Sequence, residues 1–166
     1  GTRTLISNLS WTCYSATPTP EIEIQGNGTE IVDGSSSPNA GDDTDFGSVA
    51  VTGGTNPNTF TILNTGTADL DVTSVTSNNT EFAISGITPG VITPGNDLTF
   101  VVTFNPNTVG TRTATITVAS DDADEATYTF NVEGNATDVP SIALNSADPA
   151  VAASNIIEGS DNNVIY

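Results

Sequence analysis

Two groups of acidic residues are the part of this sequence best suited to bind a metal ion or to catalyse a reaction. The first lies in a Gly/Ser/Asn-rich stretch and comprises Asp33, Asp42, Asp43 and Asp45. The second lies in a short turn-like stretch and comprises Asp121, Asp122, Asp124 and Glu125. Calcium is bound by about six to eight oxygen atoms from carboxylates and carbonyls, which Asp/Asn/Gly/Ser loops supply. Both groups are therefore candidate calcium sites.

A second interpretation of both groups is that they are solvated turns, because aspartate is a preferred turn residue. Neither group has the spacing of an EF-hand loop. Calcium is thus predicted as an optional ligand, and no cofactor is required. Paired carboxylates also serve glycosidases. Those enzymes need a cleft lined by aromatic side chains, whereas aromatic residues make up only 6% of this chain. No catalytic residue is assigned, and the protein is predicted not to be an enzyme.

The charge balance excludes several functions. The 166-residue chain has 20 acidic residues against two basic ones, Arg3 and Arg112, and a net charge of −18. Two arginines cannot neutralise a phosphate backbone, so nucleic acid is excluded as a partner. Histidine and lysine are absent, which excludes Ser-His-Asp catalysis, histidine-bound zinc and Schiff-base chemistry. No run approaches the roughly 18 apolar residues of a membrane span, so no membrane insertion is expected.

The elements that must position these residues are strands. Apolar and polar residues alternate with a period of two, as in strands that bury one face. The alternating segments are 21–25, 60–64, 70–76, 81–85, 98–105, 111–118 and 127–133. Turn-forming Asn, Pro and Gly separate them, and no segment has the periodicity of a helix. The sequence therefore predicts an all-β, immunoglobulin-like antiparallel β-sandwich of about seven strands with flanking strands and linkers.

The two ends differ from the middle of the chain. Residues 1–17 are interpreted as the end strand of a preceding module plus a Pro-containing linker, and residues 18–137 as the sandwich. Residues 138–166 are interpreted as a linker and the start of a following module. An alternative is that the strand at 2–14 pairs with the C-terminal segment, because neither is long enough to bury a face alone. The single cysteine, Cys13, is interpreted as a buried structural residue.

The middle of the chain resembles the choice-of-anchor D domains. The motifs that carry the resemblance lie at residues 20–28, 42–47, 60–70, 104–106 and 132–136. They span about residues 20–137. That family is immunoglobulin-like and related to abnormal-spindle/hydin-like domains. The resemblance implies a non-catalytic module of a large secreted or surface-anchored bacterial protein.

Three functions are consistent with the sequence. The first is a structural or spacer module of a secreted or cell-surface, adhesin-like protein, whose partners are neighbouring modules of the same polypeptide. The second is a module whose loops bind an extracellular glycan or protein. The third is a filament subunit that contacts other copies of itself by β-strand addition through its terminal segments.

Overall fold

A computed structural model describes residues 16–138, which form two five-stranded sheets packed around one core. The strands are β1 (Ile22–Gly26), β2 (Thr29–Glu30), β3 (Asp45–Ala50), β4 (Asn56–Asn64), β5 (Leu70–Ser77), β6 (Phe82–Ser85), β7 (Gly90–Ile92), β8 (Asp97–Phe104), β9 (Gly110–Ser120) and β10 (Thr127–Thr137). The first sheet has the order β2-β1-β4-β8-β6, and the second has the order β3-β10-β9-β5-β7. The all-β sandwich is confirmed. Among the described residues, no helix has the length and apolar character needed to cross a membrane.

The structure adds three strands to the seven that alternation indicates. These are β2, β3 and β7, which contain two, six and three residues. In addition, β3 pairs with β10 in parallel, so the second sheet is mixed. The predictions for the strand at 2–14, for Cys13 and for residues 139–166 lie outside the described residues.

The core is built from aromatic and β-branched side chains on the inner faces of both sheets. All six phenylalanines of the chain are at most 2% exposed. Phe82 and Phe104 of the first sheet stack with ring centroids 4.6 Å apart, and Phe46 of the second sheet meets the Phe82 ring edge-on at 5.4 Å. Burial of each ring contributes about 1.5–3 kcal/mol. These contacts hold the two sheets face to face.

One lateral side of the sandwich, here called the crossover side, is covered by the chain as it passes from β2 to β3. The Gly34 amide donates to the Thr129 carbonyl and the Asn131 amide donates to the Ser35 carbonyl, each at 2.8 Å. Residues 33–35 therefore pair with the outer edge of β10, and β3 continues along the same edge. Strands β3 and β10 are separated in the chain by β4 to β9, as a parallel pair requires, because a tight hairpin produces only antiparallel neighbours.

Candidate functional site

The first acidic group is used largely to organise the loop before β3. Asp42 is buried, and its carboxylate accepts hydrogen bonds from Asn39 Nδ2 at 2.7 Å and from the Thr44 amide and hydroxyl at 3.1 and 2.5 Å. Asp45 Oδ1 accepts from the Gly47 amide at 2.8 Å. These side-chain hydrogen bonds take the place of strand-to-strand hydrogen bonds in this loop, and they fix the start of β3.

The other two members of the first group lie apart from this network. Asp43 has a positive φ of 60° and accepts a hydrogen bond from Asn58 Nδ2 through its backbone carbonyl at 2.7 Å. Asp33 Oδ1 instead accepts from the Thr129 amide at 2.7 Å, on β10. Among the described residues, the four members of this group do not form a set of carboxylates with metal-site spacing.

The second acidic group lies in the β9–β10 turn and is tied to two other strands. Asp122 is 1% exposed, and its Oδ2 accepts from the Ile22 amide at 2.9 Å, at the start of β1. Asp121 Oδ1 accepts from the Asp71 amide at 2.8 Å, on β5. The turn thus connects the first sheet to the second.

One group of carboxylates in the described part of the chain does have the spacing of a metal site. Oxygen atoms of Glu21, Asp122 and Asp124 lie within 4.8 Å of one another. Glu21 was missed in the sequence because it precedes β1, far from the β9–β10 turn along the chain, and no local motif marks it. Calcium binding here remains a prediction.

Like charges accumulate around this group. Burial raises the pKa of Glu125, and the negative charges of Glu21 and Asp122 raise it further. The one cation among the described residues, Arg112, is paired elsewhere, with Glu81. Repulsion among these carboxylates is therefore not offset by a nearby basic side chain in the described structure.

The pair of Glu81 and Arg112 joins two loops to β9. Arg112 Nε donates to Glu81 Oε2 at 2.6 Å, and the Asn107 amide donates to Glu81 Oε1 at 2.8 Å. Burial acts to raise the pKa of Glu81, but the hydrogen bonds from Asn107 and Arg112 outweigh it and hold the pKa below its usual value. The carboxylate is 3% exposed, so it is a structural link rather than a surface charge.

Asn64, at the end of β4, connects four segments through one buried amide. Its Nδ2 donates to the carbonyls of Ala68 and Ile92 at 2.7 and 2.8 Å. Its Oδ1 accepts from the amides of Gly66 and Glu21 at 3.0 and 3.4 Å. The side chain thereby fixes the β4–β5 turn against β7 and against the residues that lead into β1.

Comparisons with known proteins agree on the fold. The model of the HYDIN/CFA65/VesB-like Ig-like domain family matches residues 40–135, more than half of the chain. No curated protein sequence matches this chain.

Among solved structures, a Porphyromonas gingivalis W83 protein of unknown function is similar, with a TM-score of 0.54 and 18% identity over 74% of this chain. This chain spans 50% of that protein. The ASH/PapD-like domain of human CEP192 has a TM-score of 0.49 and 17% identity, covering 84% of this chain and 100% of that one. The secreted serine protease VesC from Vibrio cholerae has a TM-score of 0.44 and 16% identity, and the match covers 55% of this chain and 21% of VesC.

Proposed function

Because the chain belongs to the HYDIN/CFA65/VesB-like Ig-like domain family, we propose that it is a non-catalytic structural module of a larger polypeptide. The observation that carries this proposal is how the buried polar side chains are used. Asp42, Asn64, Glu81 and Asp122 all bond to the backbone of loops and strand ends. Side chains engaged in this way position the backbone, which supports a structural role.

The sequence resemblance supports a finer assignment, and we propose that the chain is a choice-of-anchor D domain. Two motifs of the resemblance have a structural explanation that supports this assignment. The motif at 60–70 contains Asn64, whose four hydrogen bonds organise the turn that follows β4. The motif at 132–136 contains Gly134, where a Cβ atom would overlap the Phe104 ring. Both residues are constrained by packing rather than by chemistry at a cleft.

We further propose that the module is a spacer in a secreted or cell-surface, adhesin-like protein. The net charge of −18 makes copies of the chain repel one another, which favours a role beside other modules over self-association. The Thr19 carbonyl also accepts from the amides of Thr67 and Ala68 at 2.8 and 3.1 Å. The linker is thus held against the sandwich at Thr19, which supports a fixed junction in a spacer.

The test is made in the larger polypeptide that is proposed to contain this module. One variant lacks residues 18–137, and a second carries an unrelated immunoglobulin-like domain in their place. A spacer predicts that the remaining regions keep their binding properties in both variants, and that only the deletion shortens the molecule. Loss of glycan or protein binding in both variants would favour a binding module instead. Loss of concentration-dependent polymerisation in both would favour a filament subunit.

The proposed location is tested separately, by antibody labelling of intact cells that produce this larger polypeptide. A surface or secreted protein is labelled on unbroken cells or recovered from the medium. Labelling that requires cell lysis would refute the proposed location and leave the structural role untouched.

A further inference from the structure

The lateral side opposite the crossover side, here called the open side, lies between β5 and β6. Strand β6 pairs with β8 along one edge. The part of β5 from Ser74 to Ser77 pairs with β9 along one edge, and β7 covers only Leu70, Asp71 and Val72 on the other. Within residues 16–138, the outer edge of β6 and the outer edge of this part of β5 therefore have no strand partner.

A groove of about 350 Å³ separates these two edges. The accessible apolar surface of the groove comes from the half-buried side chains of Val75 and Ile84, because the ring of Phe82, which also borders it, is fully buried. The remaining lining residues are Thr76, Ser77, Asn79, Thr80 and Ala83. No charged side chain lines this groove, although the chain carries 20 acidic residues. Unpaired strand edges beside apolar side chains are the surface to which an added strand binds.

We propose that part of the segment 5–13 of the same chain pairs with the free Ser74–Ser77 edge of β5, and that the apolar face of the segment covers this groove. Leu5, Leu9, Trp11 and Cys13 recur at alternate positions, so a strand formed by this segment presents them on one face. Residues 1–15 contain no acidic residue. They therefore approach the acidic sandwich without repulsion, whereas the C-terminal segment carries acidic residues of its own.

The direction and length of the chain suit this placement. The Thr19 carbonyl is bonded to the Thr67 amide at 2.8 Å, shortly before β5 begins at Leu70. A segment that leads into Thr19 from the Ser77 end of β5 runs antiparallel to β5, and antiparallel strands pair slightly more stably than parallel ones.

The segment between Leu5 and Thr19 is also long enough to reach the groove. The length of β5 from Leu70 to Ser77 is about 23 Å at 3.3 Å per residue. The 14 residues from Thr19 back to Leu5 extend up to about 46 Å, which passes β7 and reaches the groove. Attachment to the same chain also raises the effective concentration of the segment to the millimolar range.

Disulfide trapping in the full chain tests the placement, with the native Cys13 as one partner. Single cysteines are introduced on the open side by Thr76→Cys or Ala83→Cys, and on the crossover side by Ser48→Cys as the control; all three positions are exposed. Under mild oxidation at low protein concentration, we expect an intramolecular disulfide to form at least tenfold faster in an open-side variant than in the control. Equal rates, or a product that is only an intermolecular dimer, would overturn the proposal.

Hydrogen–deuterium exchange of the full chain supplies a second measurement. Leu9→Asp combined with Trp11→Asp places charge on the face that would meet the groove. Asn8→Asp combined with Ser10→Asp adds the same charge to the opposite face. The first pair is expected to raise amide exchange in β5 and β6 at least tenfold without affecting β1 and β4, and the second pair to leave it unchanged. Unchanged exchange with both pairs would overturn the proposal; if exchange rises throughout the sandwich, the disulfide rates decide.

Discussion

The buried amide of Asn64 makes a quantitative prediction, because one side chain supports four segments of the sandwich. Asn64→Ala removes the two donated hydrogen bonds to Ala68 and Ile92 and the two accepted from Gly66 and Glu21. The side chain is 1% exposed, so water does not readily replace the lost partners. The substitution therefore leaves backbone groups unpaired in the interior.

The magnitude follows from these bonds. At about 1 kcal/mol net for each hydrogen bond, and with the 3.4 Å bond from Glu21 the weakest, Asn64→Ala is expected to lower the free energy of unfolding by about 3–4 kcal/mol. For a domain of this size, the melting temperature then falls by about 10–20 °C. Asn58→Ala, on the same strand, is the matched control. It removes one bond, to the Asp43 carbonyl, and should cost about 1 kcal/mol.

Urea denaturation followed by circular dichroism measures both variants at the same pH. Asn64→Asp adds a pH dependence. One carboxylate oxygen takes the place of Nδ2 and faces the carbonyl oxygens of Ala68 and Ile92, and the position is only 1% exposed. This repulsion and burial raise the folded pKa of the new carboxyl group above the unfolded value of about 3.9. The variant is then least destabilised below that value and loses stability as the pH rises through the folded pKa. If Asn64→Ala costs no more than Asn58→Ala, the role assigned to this amide is wrong.

Three further predictions concern packing, the ion pair and the acidic group. Gly134→Ala is expected to cost about 1–3 kcal/mol in urea denaturation, because its Cβ would overlap the Phe104 ring. Arg112→Met leaves the buried carboxylate of Glu81 without its cation and should cost about 1–3 kcal/mol at neutral pH. Because the pKa of Glu81 is lowered by folding, the stability that it contributes is present above pH 4.5 and is lost as the pH falls through the folded pKa; this acid-dependent loss should be smaller in Arg112→Met. Millimolar calcium is expected to raise the melting temperature, by an increment that Asp124→Asn reduces.

Two of these predictions have a matched control variant, and the third has a pH profile that can contradict it. Gly90→Ala adds a Cβ where no atom lies within 4 Å, so a cost equal to that of Gly134→Ala would contradict the packing argument. Asp138→Asn removes the same charge as Asp124→Asn, outside the close acidic group. A calcium response that both variants reduce equally would indicate nonspecific screening, and no response in the native chain would favour solvated turns. An unchanged pH profile in Arg112→Met would contradict the role given to the ion pair.

Much of the fold was predictable because alternation of apolar and polar residues is a local signal. Seven strands follow from it, including β8, where Phe100, Val102 and Phe104 are all buried. Strand β3 was missed because its buried positions do not alternate. Its pairing with β10 shifts register near Gly47, which has a positive φ of 63°. Strands β2 and β7 are too short to show any period.

The candidate site was predictable only in part. The aspartates of the β9–β10 turn were identified from their types and spacing, whereas the third carboxylate of the close group, Glu21, was not. Asp33 is near Asp42 in sequence, but its carboxylate bonds to β10. Proximity along a loop does not determine where carboxylates point, because each one is drawn to the nearest unpaired backbone amide.

The sequence by itself determined the class of fold and the chemistry that is absent. Period-two alternation requires strands that bury one face, and a chain with no histidine or lysine lacks the side chains for several kinds of catalysis and ligation. Tertiary structure alone decided which strand edges are covered, which segments Asn64 joins and which carboxylates meet at Glu21. The reason is physical: these contacts join residues far apart in the chain, and they exist only once the two sheets have packed on their shared core.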